Sequence, residues 1–164
     1  MQNPVKRKLL NGQKTIGAFL QTLSPVAAEI LAQAGFDWLI VDLEHSPGGF
    51  DNLQAQLQAM NGSGVVPFAR APWNDAVAIK RILDTGVMGV LVPYVNTRAE
   101  AEMAVAACKY PPQGVRGVAG SPRAAGYTRN TMPYLTTANE ETVVMIAVET
   151  RQAVENLDEI LQVK

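Results

Sequence analysis

Five short apolar runs alternate with five amphipathic stretches, and this alternation constrains the chain more than any other feature. The runs cover 15–20, 36–43, 65–70, 87–95 and 143–149, and the stretches that follow them cover about 24–35, 50–60, 75–84, 97–108 and 151–161. Near-continuous apolar strands separated by helices indicate a parallel sheet covered by helices. Local signals mark the helix starts. Ser24 offers an N-cap, with Pro25 at the first helical position. Asn74 is expected to cap 75–84, Thr97-Arg98-Ala99-Glu100 has capping-box spacing, and Thr150 can cap the last helix.

Two α/β architectures answer to this pattern, an open doubly wound sheet and a (β/α)8 barrel. No G-x-G-x-x-G follows the first run, so a dinucleotide-binding fold loses its main support. A barrel ordinarily needs about 250 residues, whereas this chain has 164. The expectation is a single partial (β/α)8 TIM barrel domain over 1–164, incomplete, with about five strands. The segment 110–132 breaks the alternation. It carries seven Pro and Gly residues among Arg116, Arg123 and Arg129, and reads equally as a solvated connection or a binding loop.

Composition narrows the partners. With 48% hydrophobic residues, 18% charged residues and a net charge of −1, neither a nucleic-acid binder nor a polybasic membrane-surface protein is expected. The single cysteine, Cys108, cannot form an intrachain disulfide. There is no apolar run of membrane-spanning length and no apolar signal core, so a cytoplasmic protein is the expectation.

Charge collects at the far ends of the strands, where parallel α/β folds place their chemistry. By alternation, Trp38, Ile40, Asp42 and Glu44 share one face, with His45, the only histidine, just beyond. Val66, Phe68 and Arg70 share another, as do Val143, Met145, Ala147 and Glu149. Each charge also has a plain structural explanation. Asp42 and Glu44 could cap the next helix, His45 could be a surface histidine, Arg70 could be a solvated strand end, and Glu149 could favour a helix N-terminus. Their joint occurrence at one edge favours a site. A lone imidazole beside carboxylates suits proton transfer near neutral pH. Carboxylates with a histidine suit a hard divalent cation, and arginine suits a small carboxylate. Lys6, Lys8, Lys14, Lys80, Lys109 and Lys164 all lie away from these ends, which disfavours Schiff-base catalysis.

Ala34-Gly35-Phe36-Asp37-Trp38 leading into Asp42-x-Glu44-His45 resembles the metal-dependent (class II) pyruvate aldolases of the 4-hydroxy-2-oxoheptanedioate and 2-dehydro-3-deoxyglucarate aldolase family. So do Arg70 followed by Trp73-Asn74-Asp75, then Tyr110-Pro111-Pro112-x-Gly114-x-Arg116-Gly117, and Val148-Glu149-Thr150. The match runs in order through nearly the whole chain. The resemblance implies a (β/α)8 barrel, usually a hexamer, in the catabolism of aromatic compounds or sugar acids. Its activity would be reversible aldol cleavage of a 4-hydroxy-2-oxo acid to pyruvate and an aldehyde through a metal-stabilised enolate. Small oxo acids and aldehydes would then be the partners, and Mg2+, Mn2+ or Co2+ the cofactor. The implied roles are Glu149 as metal ligand and Arg70 as carboxylate holder and charge neutraliser. His45, oriented by Asp42, would be the proton-transferring base, with Glu44 in the outer shell of the metal water.

There are two departures. Ala147 stands where the family commonly has glutamine, removing a polar group from the pocket floor. The family's second metal ligand, an aspartate after a sixth strand, would lie beyond Lys164, so a C-terminally truncated version of a longer protein is expected. Alternatives within this reading are oxaloacetate decarboxylation through the same enolate, and an incompetent fragment that only binds small oxo acids or self-associates.

Overall fold

The structure, a computed structural model, describes residues 2–163; Lys164 therefore lies outside the described residues. Five parallel strands form one sheet: β1 (Gly17–Leu20), β2 (Trp38–Asp42), β3 (Val66–Arg70), β4 (Gly89–Val92) and β5 (Val143–Ile146). Helices α2 (Pro25–Ala32), α3 (Phe50–Ala59), α4 (Ala76–Asp84) and α5 (Arg98–Cys108) follow the first four strands in turn. The strand order is 1-2-3-4-5. A doubly wound sheet reverses direction at a switch point, whereas sequential order is that of a barrel wall. Within the described residues β1 pairs only with β2 and β5 only with β4, so this wall is open.

The two faces of the sheet bury different clusters. Leu20, Leu39, Val41, Ala69, Val90 and Val92 pack outward against the helices. Ile40, Val66, Phe68 and Val143 pack inward, with Trp38, Leu91 and Met145 against them. Two glycines make room for the inner aromatics. A Cβ on Gly17 would fall 2.0 Å from the Trp38 ring, and one on Gly89 would fall 2.9 Å from the Phe68 ring and 2.8 Å from the Val143 carbonyl. Gly17→Ala is therefore expected to cost about 1–3 kcal/mol through overpacking. Urea unfolding reads this directly, and an unchanged midpoint would show that Trp38 moves aside freely.

Several boundaries depart from the sequence reading. Asp75, not Asn74, caps α4: its carboxylate accepts from the Ala78 amide at 2.7 Å. Asn74 instead donates to the Glu100 carbonyl at 3.0 Å, tying the β3–α4 loop to the first turn of α5. The capping box of Thr97 and Glu100 is complete. The last helix is split at Asn156 into α7 (Arg151–Glu155) and α8 (Leu157–Ile160). Two helices stand where the sequence reading placed no element. α1 (Pro4–Leu10) closes the lower end of the inner cluster with Val5, and α6 (Thr131–Glu141) precedes β5. No described helix is long and apolar enough to cross a membrane.

The segment 110–132 is anchored by a buried arginine. Arg116 is 2% exposed, donates to Asp84 at 2.8 Å and to the Tyr134 hydroxyl at 3.0 Å, and lies 4.4 Å over the Tyr110 ring. Its motif neighbour Gly114 is there because a Cβ would meet the Ala106 and Lys109 carbonyls at 2.4 Å. Burial pushes the Cys108 thiol up to about 12, so it is an inert core residue.

Candidate active site

The register sets the site. Asp42 of β2 lies directly beside Arg70 of β3, and Arg70 beside Leu91 of β4. Both charged residues end inward-facing stripes, at the C-terminal edge of the sheet. Asp42 is fully buried and is the hub. It accepts from Arg70 Nε at 2.9 Å and Nη2 at 2.5 Å, from Gln21 Nε2 at 2.6 Å, and from the Glu44 and His45 amides at 3.0 and 3.2 Å. Burial alone would raise its pKa. The guanidinium, the Gln21 amide and the two main-chain donors outweigh burial and hold the carboxyl well below the usual range. The same pairing raises the Arg70 pKa, with Glu44 and Glu149 adding to the effect.

Arg70 also lies 5.2 Å over the Phe19 ring, fixing its plane. Asp42 uses the Nε–H and one Nη2–H, which leaves hydrogens on both terminal nitrogens. Glu44 reaches Nη1 at 3.2 Å from one side. The remaining fork matches a second, planar carboxylate.

His45 is placed by its backbone. Its amide is held by Asp42, while its imidazole, 66% exposed, lies 3.6 Å from the Glu44 carboxylate through Nε2. The orienting contact of Asp42 expected from sequence thus takes a main-chain form, and Glu44 is the carboxylate facing the ring. Neither Asp42 nor Glu44 caps α3, whose N-cap is Gly49.

Glu149 lies past the end of β5, not within it. The ladder makes its last rung from the Ala147 amide to the Val92 carbonyl, 2.9 Å, and the chain then leaves the sheet. The Glu149 carboxylate accepts from the Tyr94 amide at 2.8 Å. That amide is aimed by a left-handed backbone, φ 58°, at Tyr94, an uncommon conformation for a large side chain. The second carboxylate oxygen takes no hydrogen bond from the described residues. An exposed, half-satisfied carboxylate fits one hard-oxygen position of a divalent cation. Among the described residues, no three His, Cys, Asp or Glu side chains gather closely enough to hold a metal by themselves.

The described lysines are elsewhere. Lys6, Lys8 and Lys80 are on helices, Lys109 ends α5, and Lys14 precedes β1. A wide concavity lined by Met88, Arg123 and Tyr127 lies at the opposite edge of the sheet and holds none of the groups above. Gln21 and Phe19, which flank the Asp42–Arg70 pair, were not singled out in the sequence. Their signal is only the two-residue spacing across the end of β1.

The family model for HpcH/HpaI aldolase/citrate lyase matches residues 15–164. The chain belongs to that family. Within the HpcH/HpaI aldolases it is 46% identical to the hydroxypyruvate/pyruvate aldolase of Deinococcus radiodurans, covering 100% of this chain and 59% of the relative. It is 44% identical to the 4-hydroxy-2-oxo-heptane-1,7-dioate aldolase of Escherichia coli, covering 100% of this chain and 63% of that protein. A crystal structure of a HpcH/HpaI aldolase/citrate lyase family protein from Burkholderia cenocepacia superposes with a TM-score of 0.92 at 34% identity. That superposition covers 97% of this chain and 64% of the other. The five strands are thus part of the TIM barrel of HpcH/HpaI aldolases, and the chain spans about three-fifths of the length of these relatives.

Proposed function

We propose that this chain carries the oxo-acid-binding part of a pyruvate aldolase, which reversibly cleaves a 4-hydroxy-2-oxo acid into pyruvate and an aldehyde. One observation supports this above others: a guanidinium fixed by a buried carboxylate, with terminal N–H groups that Asp42 does not use and Glu44 3.2 Å from Nη1, at the sheet edge that also bears His45 and Glu149. Arg70 binds the substrate carboxylate and balances charge that develops on the oxo acid. Asp42 keeps the guanidinium in place and, through the His45 amide, sets where the imidazole stands. His45, facing Glu44, takes the proton from the C4 hydroxyl. The C3–C4 bond breaks, its electron pair passes into the three-carbon half as an enolate, and the aldehyde departs. Return of a proton to C3 gives pyruvate. Glu149, with donors outside these residues, would hold Mg2+, Mn2+ or Co2+, which when bound supplies Lewis-acid polarisation of the keto oxygen.

Release of pyruvate from a 4-hydroxy-2-oxo acid is expected to require a divalent ion and to stop on chelation. A borohydride-trapped substrate adduct would overturn the reading in favour of a lysine mechanism. Faster release from oxaloacetate than from hydroxy-oxo acids would redirect it to decarboxylation through the same enolate. The single exposed carboxylate in the metal position favours a second reading, a chain that binds oxo acids or associates with itself without turnover. Calorimetry with Mn2+ and oxalate separates the two: metal-dependent oxalate binding supports an assembled site, and its absence supports the incompetent chain.

A further inference from the structure

Two large aromatic side chains stand half-exposed at the same sheet edge, and the mechanism above uses neither. Trp73, in the β3–α4 loop, is 52% exposed; Tyr94, in the β4–α5 loop, is 50% exposed. Their rings stack with centroids 5.3 Å apart and planes 28° from parallel. Scattered apolar residues are ordinary on a surface, but a stacked indole–phenol pair presents one continuous flat apolar face.

The two loops are pinned, so the pair is a fixed feature. Asn74 bonds the Glu100 carbonyl at 3.0 Å, and Asp75 caps α4. Asn96 donates to the Tyr94 carbonyl at 3.0 Å, and the Asn96 amide donates to the Glu100 carboxylate at 2.6 Å. Tyr94 is held at φ 58°, and its amide touches the Glu149 carboxylate at 2.8 Å. The aromatic face therefore begins one residue's reach from the carboxylate assigned to the oxo-acid side. Its chemistry is one-sided as well. Between Arg70 and α5, neither loop contains a lysine or arginine, and their one charge, Asp75, is taken up in the cap.

We infer that Trp73 and Tyr94 form the shelf that receives the hydrocarbon part of the aldehyde, selecting flat, apolar or aromatic aldehydes over short ones. This rests on the proposed aldolase reading. An oxo acid seated on Arg70 and beside Glu149 has its reactive C3 exposed on this edge, and an incoming carbonyl carbon must approach there. A preorganised aromatic face binds a planar group with little ordering cost.

The test uses the 164-residue chain with Mg2+, comparing wild type, Trp73→Ala and Trp73→Phe. Deuterium exchange into the pyruvate methyl group reports the oxo-acid chemistry without any aldehyde. Aldol addition of pyruvate to benzaldehyde and to acetaldehyde reports selectivity, and saturation-transfer NMR on the benzaldehyde ring protons reports contact. The expectation is equal methyl exchange in all three proteins. In Trp73→Ala the benzaldehyde preference falls about tenfold and the ring-proton signal is lost, and Trp73→Phe restores most of both. Exchange present with the preference and ring signal unchanged in Trp73→Ala overturns the shelf and leaves the aldolase reading standing. Loss of exchange in Trp73→Ala also overturns it, because Trp73 then serves the oxo acid. No exchange even in wild type removes the aldolase reading and the shelf with it.

Discussion

Replacing Asp42 with alanine is expected to destabilise the fold by about 3–5 kcal/mol, the scale for removing one member of a buried ion pair. Asp42 is fully buried and Arg70 nearly so, with side-chain exposures of 0% and 15%. Alanine would strand the guanidinium beside Glu44 alone and release the Gln21, Glu44 and His45 donors together. Against a total stability of about 5–15 kcal/mol, that is a large fraction. The thermal midpoint should fall by roughly 6–20 °C for a domain of this size. Asp42→Asn keeps an acceptor for the two amides and should lose less. The pH dependence has a definite direction. The native Asp42 pKa is depressed, so its stabilisation is complete above the unfolded carboxylate value of about 3.9. It declines as pH falls from there toward the native value. Urea titrations of wild type and Asp42→Ala should therefore converge under strong acid. A constant gap between them would show that the loss is one of packing and not of charge pairing.

Replacing His45 with alanine should do the reverse, removing activity and sparing stability. An imidazole acting in proton transfer contributes roughly 10²–10⁴-fold in rate, so kcat for pyruvate release should drop by that range. The side chain is 66% exposed, and the contact that places the residue is its main-chain amide, which alanine retains. The change in stability should stay within about 0.5 kcal/mol. Steady-state kinetics beside a urea melt separates the two quantities. Full activity in a folded His45→Ala protein would remove His45 from the mechanism and turn attention to Glu44, whose carboxylate lies 3.2 Å from Arg70 Nη1.

The sheet was legible because strand periodicity survives in a buried wall: every second residue from Trp38 to Asp42 and from Val66 to Arg70 turns inward, and the register then brings Asp42 and Arg70 side by side. Glu149 was harder. Alternation extends β5 as far as the apolar residues run, but the ladder stops when the partner chain turns away after Val92, and sequence does not show where a partner turns. Helix α1 is seven residues long and rich in charge, too short to declare itself by periodicity. In α6, Pro133 and three threonines argue against a helix, and Asn130 makes no side-chain cap. Tertiary packing through Tyr134 and Ala138 overrides that weak propensity. The loop at 110–132 could be counted in glycines and prolines, yet nothing local said that Arg116 would be buried between two tyrosines. The aromatic shelf was equally silent, since its two halves are more than twenty residues apart and meet only because β3 and β4 are neighbours.

The way α1 is fastened sets an order on folding. Asn3 is wholly buried, and its side-chain amide donates to the Met88 carbonyl and to the Glu141 carbonyl, each at 3.0 Å, across sequence separations of 85 and 138 residues. Its own amide reaches the Glu141 carboxylate at 2.5 Å. Helix α1 thus lacks these anchors until the end of α6 has been made and has settled next to β4. Loops of that length close late and slowly compared with neighbouring strand–helix units. Val5 would wait in solvent while β1 to β4 assemble, then lock the floor of the inner cluster when the end of α6 and Val143 of β5 arrive. Helix α1 is in this sense the final fastening of the wall, and hydrogen exchange during refolding should show its amides protected last.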